Sequence, residues 1–140
     1  MLKLKVCHLM IEFFIPMKKI PTVTHQQKKV RVIRGKPQFY EPDELKETRA
    51  MFMELLTPYA PDEPLDGPLR LTTKWLFPKI KGTTNGQYKH TKPDTENLLK
   101  LPKDCMQELG FFVNDSRVAS EMTEKFWSDT VGIYVRLENL

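Results

Sequence analysis

The stretch Leu69-Arg70-Leu71-Thr72-Thr73-Lys74-Trp75-Leu76-Phe77 sets the fold. Leu71, Thr73, Trp75 and Phe77 fall on one side of it, and Arg70, Thr72 and Lys74 on the other. A period of two is that of a strand with one buried face. After it comes a long polar loop from Pro78 to Pro93, with Gly82, Asn85-Gly86 and four lysines. Loops of this length inside a compact domain are usually functional or mobile. The next segment, Thr95 to Leu109, has helical spacing, with Leu98, Leu101, Cys105 and Leu109 inside. Glu96, Lys100, Asp104 and Glu108 form its outer stripe, and Gly110 suits a left-handed cap. Pro102 removes the bond to the Leu98 carbonyl and predicts a local kink. Phe111 to Val113 is short and apolar, and Asn114-Asp115-Ser116 is a turn. Arg117–Trp127 and Thr130–Leu137 are expected to form a final hairpin, with Val131, Ile133, Val135 and Leu137 on one face.

Upstream, Met10 to Ile15 reads as a strand entering the core. Lys29–Ile33 and Gln38-Phe39-Tyr40 pair as a hairpin about Gly35 and Lys36-Pro37. Pro42 suits the first turn of a helix, with Asp43, Glu44 and Glu47 near its positive end. Leu45, Phe52, Leu55 and Leu56 give that helix an apolar stripe, and it stops before Pro58. Four prolines between Pro58 and Pro68 make a rigid surface loop. The expectation is one small α+β domain with a mixed or antiparallel sheet and two main helices.

The chain has 140 residues, 40% of them hydrophobic and 29% charged, which suits a single folded domain. No apolar run approaches the ~20 residues that span a bilayer, so no membrane partner is expected. Val6–Ile15 contains His8 and Glu12 with no cleavage site after it, which argues against a signal peptide. Cys7 and Cys105 form no CxxC, and His8, His25 and His90 show no ligand spacing. A reduced cytoplasmic setting is expected. There is no phosphate-binding glycine loop and no nucleophile elbow.

The net charge of +4 conceals a strong segregation. Phe13 to Tyr40 holds seven bases and no acid, among them Lys28, Lys29, Arg31 and Arg34. Gly67 to Pro93 holds six bases and no acid, among them Lys79, Lys81, Lys89 and Lys92. Acid-free basic stretches can attract a polyanion despite a modest net charge, although such a stretch also serves as an ordinary solvated face.

Chemistry concentrates in Lys92-Pro93-Asp94-Thr95-Glu96-Asn97-Leu98-Leu99-Lys100 and in Asn114-Asp115. Taken singly, Asp94 is a helix cap, Glu96 a first-turn acid and Asp115 a turn residue. Taken together, Asp94 and Glu96 open a helix, and a segment folding back beside it would bring Asp115 to the same spot. Three carboxylates at one site repel one another, and a hard divalent cation relieves that cost. Carboxylate-held Mg²⁺ flanked by lysines activates water against a phosphodiester, and the loop lysines would hold the phosphates.

These residues resemble the RusA family of Holliday junction resolvases, common in bacteria and their prophages. The resemblance rests on Lys-Pro-Asp-x-(Asp/Glu)-Asn-x-x-Lys, a following Asp, and Asp/Asn-Asp after a Gly-ended helix. The opening Ile11-Glu12-Phe13-Phe14-Ile15-Pro16 and the basic segment ending Phe39-Tyr40 are similar in kind to that family's first strand and hairpin. Residues 1–9 match nothing and stand as an N-terminal extension to a domain over residues 10–140. The resemblance implies a homodimeric metal-dependent endodeoxyribonuclease, using Mg²⁺ or Mn²⁺, that makes paired cuts in a four-way DNA junction during recombination and repair. It implies Asp94, Glu96 and Asp115 as metal-binding carboxylates and Lys100 as a catalytic lysine beside them. Asp104, Asn114 and Lys125 match supporting positions, and Lys125 shares a face with Asp115 if their strand is continuous. The DNA contacts expected are Lys79, Lys81, Lys89 and Lys92, with Lys28, Lys29, Arg31 and Arg34 as a second patch. Two departures stand out: Glu96 where the family usually has Asp, and Asn114 where it usually has Asp. They leave open the alternative of a weakened or inactive branched-DNA-binding protein of the same fold.

Overall fold

The computed structural model describes residues 8–22, 29–40 and 42–140. Cys7, His25 and Lys28 lie outside the described residues, as does the side chain of Lys29.

The described residues form six strands and two α-helices. Strands β1 (Met10–Pro16), β4 (Leu69–Pro78), β5 (Val118–Ser128) and β6 (Gly132–Asn139) form one sheet in the order β1-β6-β4-β5. Strands β2 (Lys29–Ile33) and β3 (Lys36–Tyr40) form a separate two-stranded hairpin. Helices α1 (Asp43–Leu56) and α2 (Thr95–Glu108) pack against each other. The fold is therefore α+β with a mixed sheet.

β4 takes the centre, antiparallel to β6 and parallel to β5. The expected hairpin of β5 with β6 is thus corrected: β4 lies between them. Alternation tells which face of a strand is buried, and both segments alternate as expected, but it does not name the neighbour. The link from Ser128 to Gly132 steps over the end of β4. Four Cα steps reach up to ~13–15 Å, enough for the ~10 Å between strands two places apart. The parallel pair requires a crossover, and α2 supplies it.

The core lies between the inner sheet face (Phe13, Ile15, Leu71, Trp75, Ile133, Val135, Leu137) and the helices (Leu45, Phe52, Leu56, Leu98, Leu101, Cys105, Met106). Phe111 and Phe112 are fully buried, so the short apolar run plugs the core and forms no strand. β4 also departs from the one-buried-face expectation. Thr72, on its outer face, is buried, and Arg70 and Lys74 are half-buried. The strand's own long side chains lie against the flanking strands: Arg70 bonds Ser120 and approaches Glu138, and Lys74 lies over the Tyr134 ring.

Local signals in the sequence worked where they specify backbone. Gly110 sits at φ +82°, and two bonds close α2, Gly110 N–H to the Gln107 carbonyl (3.1 Å) and Phe111 N–H to the Met106 carbonyl (2.9 Å). This is the Schellman pairing. Arg34 (φ 52°) and Gly35 (φ 76°) form the two-residue turn of the basic hairpin, so Lys36-Pro37 belongs to β3.

Burial pushes the Cys105 thiol up to about 11, with neighbouring Arg49 opposing this only in part. The protonated thiol is the poor nucleophile. In the folded protein at pH 8, Cys105 is expected to resist alkylation and to react only on unfolding. Peptide mass spectrometry after iodoacetamide treatment, with and without denaturant, checks this.

Gly132 has no room for a side chain. A Cβ there would lie 2.3 Å from the Ile15 carbonyl oxygen and 2.5 Å from Cζ of Phe14. Gly132→Ala must therefore push β1 away from β6, and by the scale of overpacked sites it is expected to cost about 2 kcal/mol or more. Urea denaturation measures the cost, and a loss under about 0.5 kcal/mol, the ordinary surface range, would contradict it.

Candidate active site

α2 and β5 face each other across a groove of about 580 Å³. Glu96, Lys100, Lys103 and Asp104 line it from the helix, and Glu121 and Thr123 from the strand. Asp115 borders it from the 3₁₀ turn Asp115–Arg117 that precedes β5. The helix residues stand three and four apart and the strand residues two apart, so each set shares one face of its element. The expected outer stripe of α2 thus faces a cleft along much of its length.

Asp94 occupies the cap position of α2, but its side chain makes no capping hydrogen bond. Asp94, Glu96 and Asp115 are all exposed. Among the described residues, none of the three has a carboxylate in an ion pair or hydrogen bond. Lys100 is likewise exposed on the groove. Asn114 is a cap: its Oδ1 accepts the Ser116 N–H at 2.9 Å. Asp104 borders the groove, and Lys103 is ion-paired with Glu121.

Within one chain Asp115 does not join the acid pair. Its N–H donates to Gln107 Oε1 at 2.7 Å, in the last turn of α2. Glu96 is in the first turn, eleven residues earlier, and at 1.5 Å per residue that is about 16 Å along the axis. Among the described residues no three His, Cys, Asp or Glu side chains come close enough to hold one ion. The donor chemistry of the helix start nevertheless suits a hard cation: Asp94 and Glu96 are unpaired, and the buried Oδ1 of Asn97 has no hydrogen-bond partner. Carboxylate and amide oxygens are ligands that such cations take.

The loop before Asp94 is not free. Gly86 N–H donates to the Trp127 carbonyl, Trp127 N–H to Gln87, and Lys89 N–H to Lys125 (2.8, 2.8 and 2.9 Å). Tyr88 bridges to Phe126, and their rings lie 4.7 Å apart. The loop thereby covers the outer edge of β5, an edge that would otherwise invite pairing with another chain.

The expected DNA contacts fall into different settings. Lys81 and Lys92 are exposed, with no ion pair among the described residues. Lys79 pairs with Asp129 at 2.5 Å. Arg31 and Arg34 are exposed on the hairpin. Lys89 is 8% exposed and points inward, with Nζ 4.1 Å from the centre of the Trp127 ring. Burial lowers its pKa, and nearby Lys125 lowers it further. Lys125 also faces inward: its Nζ donates to the carbonyls of Thr91 (2.5 Å) and Pro93 (2.7 Å). The strand does not run on to Asp115, because the 3₁₀ turn intervenes. Lys125 therefore shares its face with Glu121 and Thr123, and the expected alignment with Asp115 is corrected.

Sequence reasoning missed two features of the site. Glu121 was visible in the alternation of β5 two and four residues before Thr123 and Lys125. Asn97 stands in the motif, but only the fold shows its amide oxygen buried and unpartnered.

The family model described as "Endodeoxyribonuclease RusA" matches residues 16–138. The chain is 30% identical over 109 residues to the "Crossover junction endodeoxyribonuclease rusA" of Lactococcus phage r1t, covering 76% of this chain and 81% of that protein. The free acid pair at the start of α2 and Asp115 beyond its end thus sit inside the matched region, and the chain belongs to the RusA family of endodeoxyribonucleases.

Proposed function

We propose that the protein is a metal-dependent, structure-selective endodeoxyribonuclease that cuts four-way DNA junctions in pairs, in recombination and repair. The observation that carries this is a set of three exposed carboxylates without partners among the described residues: Glu96 and Asp115 line the groove with Lys100, and Asp94 stands at the cap two residues before Glu96. Carboxylates left without protein partners cost the fold nothing to give to a cation, and their repulsion favours one. A bound Mg²⁺ or Mn²⁺ would supply a water acidic enough to attack the phosphate. Lys100 would stabilise the charge that develops on the phosphate oxygens. Lys81 and Lys92 would hold the backbone by charge, with Arg31 and Arg34 as a second patch.

The separation of Asp115 from Asp94 and Glu96 supports a working unit of two chains. In a twofold dimer with the two grooves laid against each other and running in opposite directions, the start of α2 in one copy would meet Asp115 of the other. Twofold symmetry also matches a junction that needs two cuts. Asn114 holds the turn that presents Asp115, so its lack of charge removes no carboxylate from the groove.

The test is incubation of the purified protein with a synthetic four-way junction in EDTA, Mg²⁺ and Mn²⁺. Cutting to linear products only with metal is expected. Cutting in EDTA, or none with either metal, would overturn the proposal. Glu96 adds a further expectation. Its carboxylate sits one methylene farther out than that of Asp, and Mg²⁺ demands near-ideal octahedral geometry. Mn²⁺ accepts the same ligands and binds such sites at least as readily. Activity is expected to be higher with Mn²⁺, and Glu96→Asp to narrow the gap. Equal rates with the two metals in the parent would contradict this.

A further inference from the structure

We propose that Lys125, aided by Lys89, is a positioning residue: the two ammonium groups hold Thr91–Pro93 and so keep the Asp94 carboxylate away from the helix and available to a ligand. The proposal rests on the assignment of Asp94 above. An ammonium has three donors, and two of those on Lys125 are taken by the Thr91 and Pro93 carbonyls, at 2.5 and 2.7 Å. Charge-assisted bonds of this kind are about twice as strong as neutral ones. The Pro93 carbonyl belongs to the peptide that leads into Asp94, so fixing it fixes the plane from which Asp94 departs. Lys89 holds the same segment from its other side, since its Nζ donates to Thr91 Oγ1. Lys89 is itself set by the rings of Trp127 (4.1 Å) and Phe77 (5.2 Å) and by its N–H bond to the Lys125 carbonyl. The chain between the pinned Lys89 and the start of α2 at Thr95 is thus braced on β5.

The brace explains an anomaly at the helix start. Aspartate at a cap position ordinarily accepts the N–H of the second or third helical residue, here Glu96 or Asn97. Asp94 has the cap's extended backbone (φ −70°, ψ 145°) and makes no such bond. Loss of the brace would let residues 91–94 relax and the carboxylate fall back onto the helix. Lys125 and Lys89 would then serve the reaction without touching DNA or metal.

Lys125→Met keeps the length of the stem and removes the donors. Hydrogen–deuterium exchange on the metal-free protein is expected to speed up at least tenfold in peptides covering residues 91–97, with the end of α2 unchanged. The Mn²⁺ concentration giving half-maximal junction cutting is expected to rise about 10- to 100-fold, the usual effect of outer-shell partners, with the rate recovering at saturating metal. Junction binding in EDTA should keep its salt dependence, and Lys125→Arg should restore most of the parental behaviour. Unchanged exchange together with a salt slope lower by about one would make Lys125 a phosphate contact and overturn the proposal. If Lys125→Met does not fold, Lys125→Gln, which removes the charge and shortens the reach to the Thr91 and Pro93 carbonyls, carries the test. Faster exchange over residues 91–97 supports the brace, and unchanged exchange overturns it. A protein that cuts no junction would fail the functional proposal and leave the exchange result standing.

Discussion

Asp94→Asn is expected to lower junction cutting at least about 100-fold, roughly 2.7 kcal/mol of transition-state stabilisation, while junction binding holds or tightens. The substitution keeps the shape and removes one negative charge near the phosphates. Asparagine is as good a cap as aspartate, so the helix start is not weakened. Asp94 has no hydrogen bond in the helix to lose. A thermal melt within a degree or two of the parent would show that the loss is chemical. If the folded variant no longer binds junctions, Asp94 contacts DNA and its assignment as a metal ligand fails.

The second large effect concerns the two ends of the groove. Asp94→Asn and Asp115→Asn are each expected to be inactive alone, yet an equal mixture after subunit exchange should regain activity. In a dimer whose sites combine Asp94 of one copy with Asp115 of the other, a mixed pair has one intact site. Random exchange makes half the dimers mixed, so about a quarter of all sites recover. Nicking of one strand should return without paired cuts, because no mixed dimer holds two good sites. If each chain carried a complete site, every site in the mixture would lack one carboxylate and nothing would return.

Much of this protein is legible in its sequence, for identifiable reasons. β4 and α2 were readable because their periods of two and 3.6 are long and uninterrupted. Gly110 and Gly35 were readable because a positive φ restricts which residues fit, but Arg34 as the partner of Gly35 in the turn, in place of Lys36-Pro37, was not. Pairing was not readable. β5 and β6 carry the alternation of a hairpin, but the more apolar β4 takes the central place and separates them. The acids were readable as a motif but not as a geometry. Glu96 and Asp115 line one groove from the two ends of the fourteen-residue helix, and among the described residues no three such side chains close on one ion. Lys89 and Lys125 were indistinguishable from other lysines until the fold placed Trp127 and the Thr91 and Pro93 carbonyls beside them. Composition gives the number of cations, and only tertiary structure says which of them face solvent.

The most direct measurement uses a four-way junction and a linear duplex of the same arm sequence, each labelled on every strand in turn, with the protein in Mn²⁺. Symmetric cuts in two opposed strands of the junction, absent in EDTA and absent from the duplex, are the expected result. Equal cutting of the linear duplex, or cuts that persist in the Asp94→Asn protein, would contradict it.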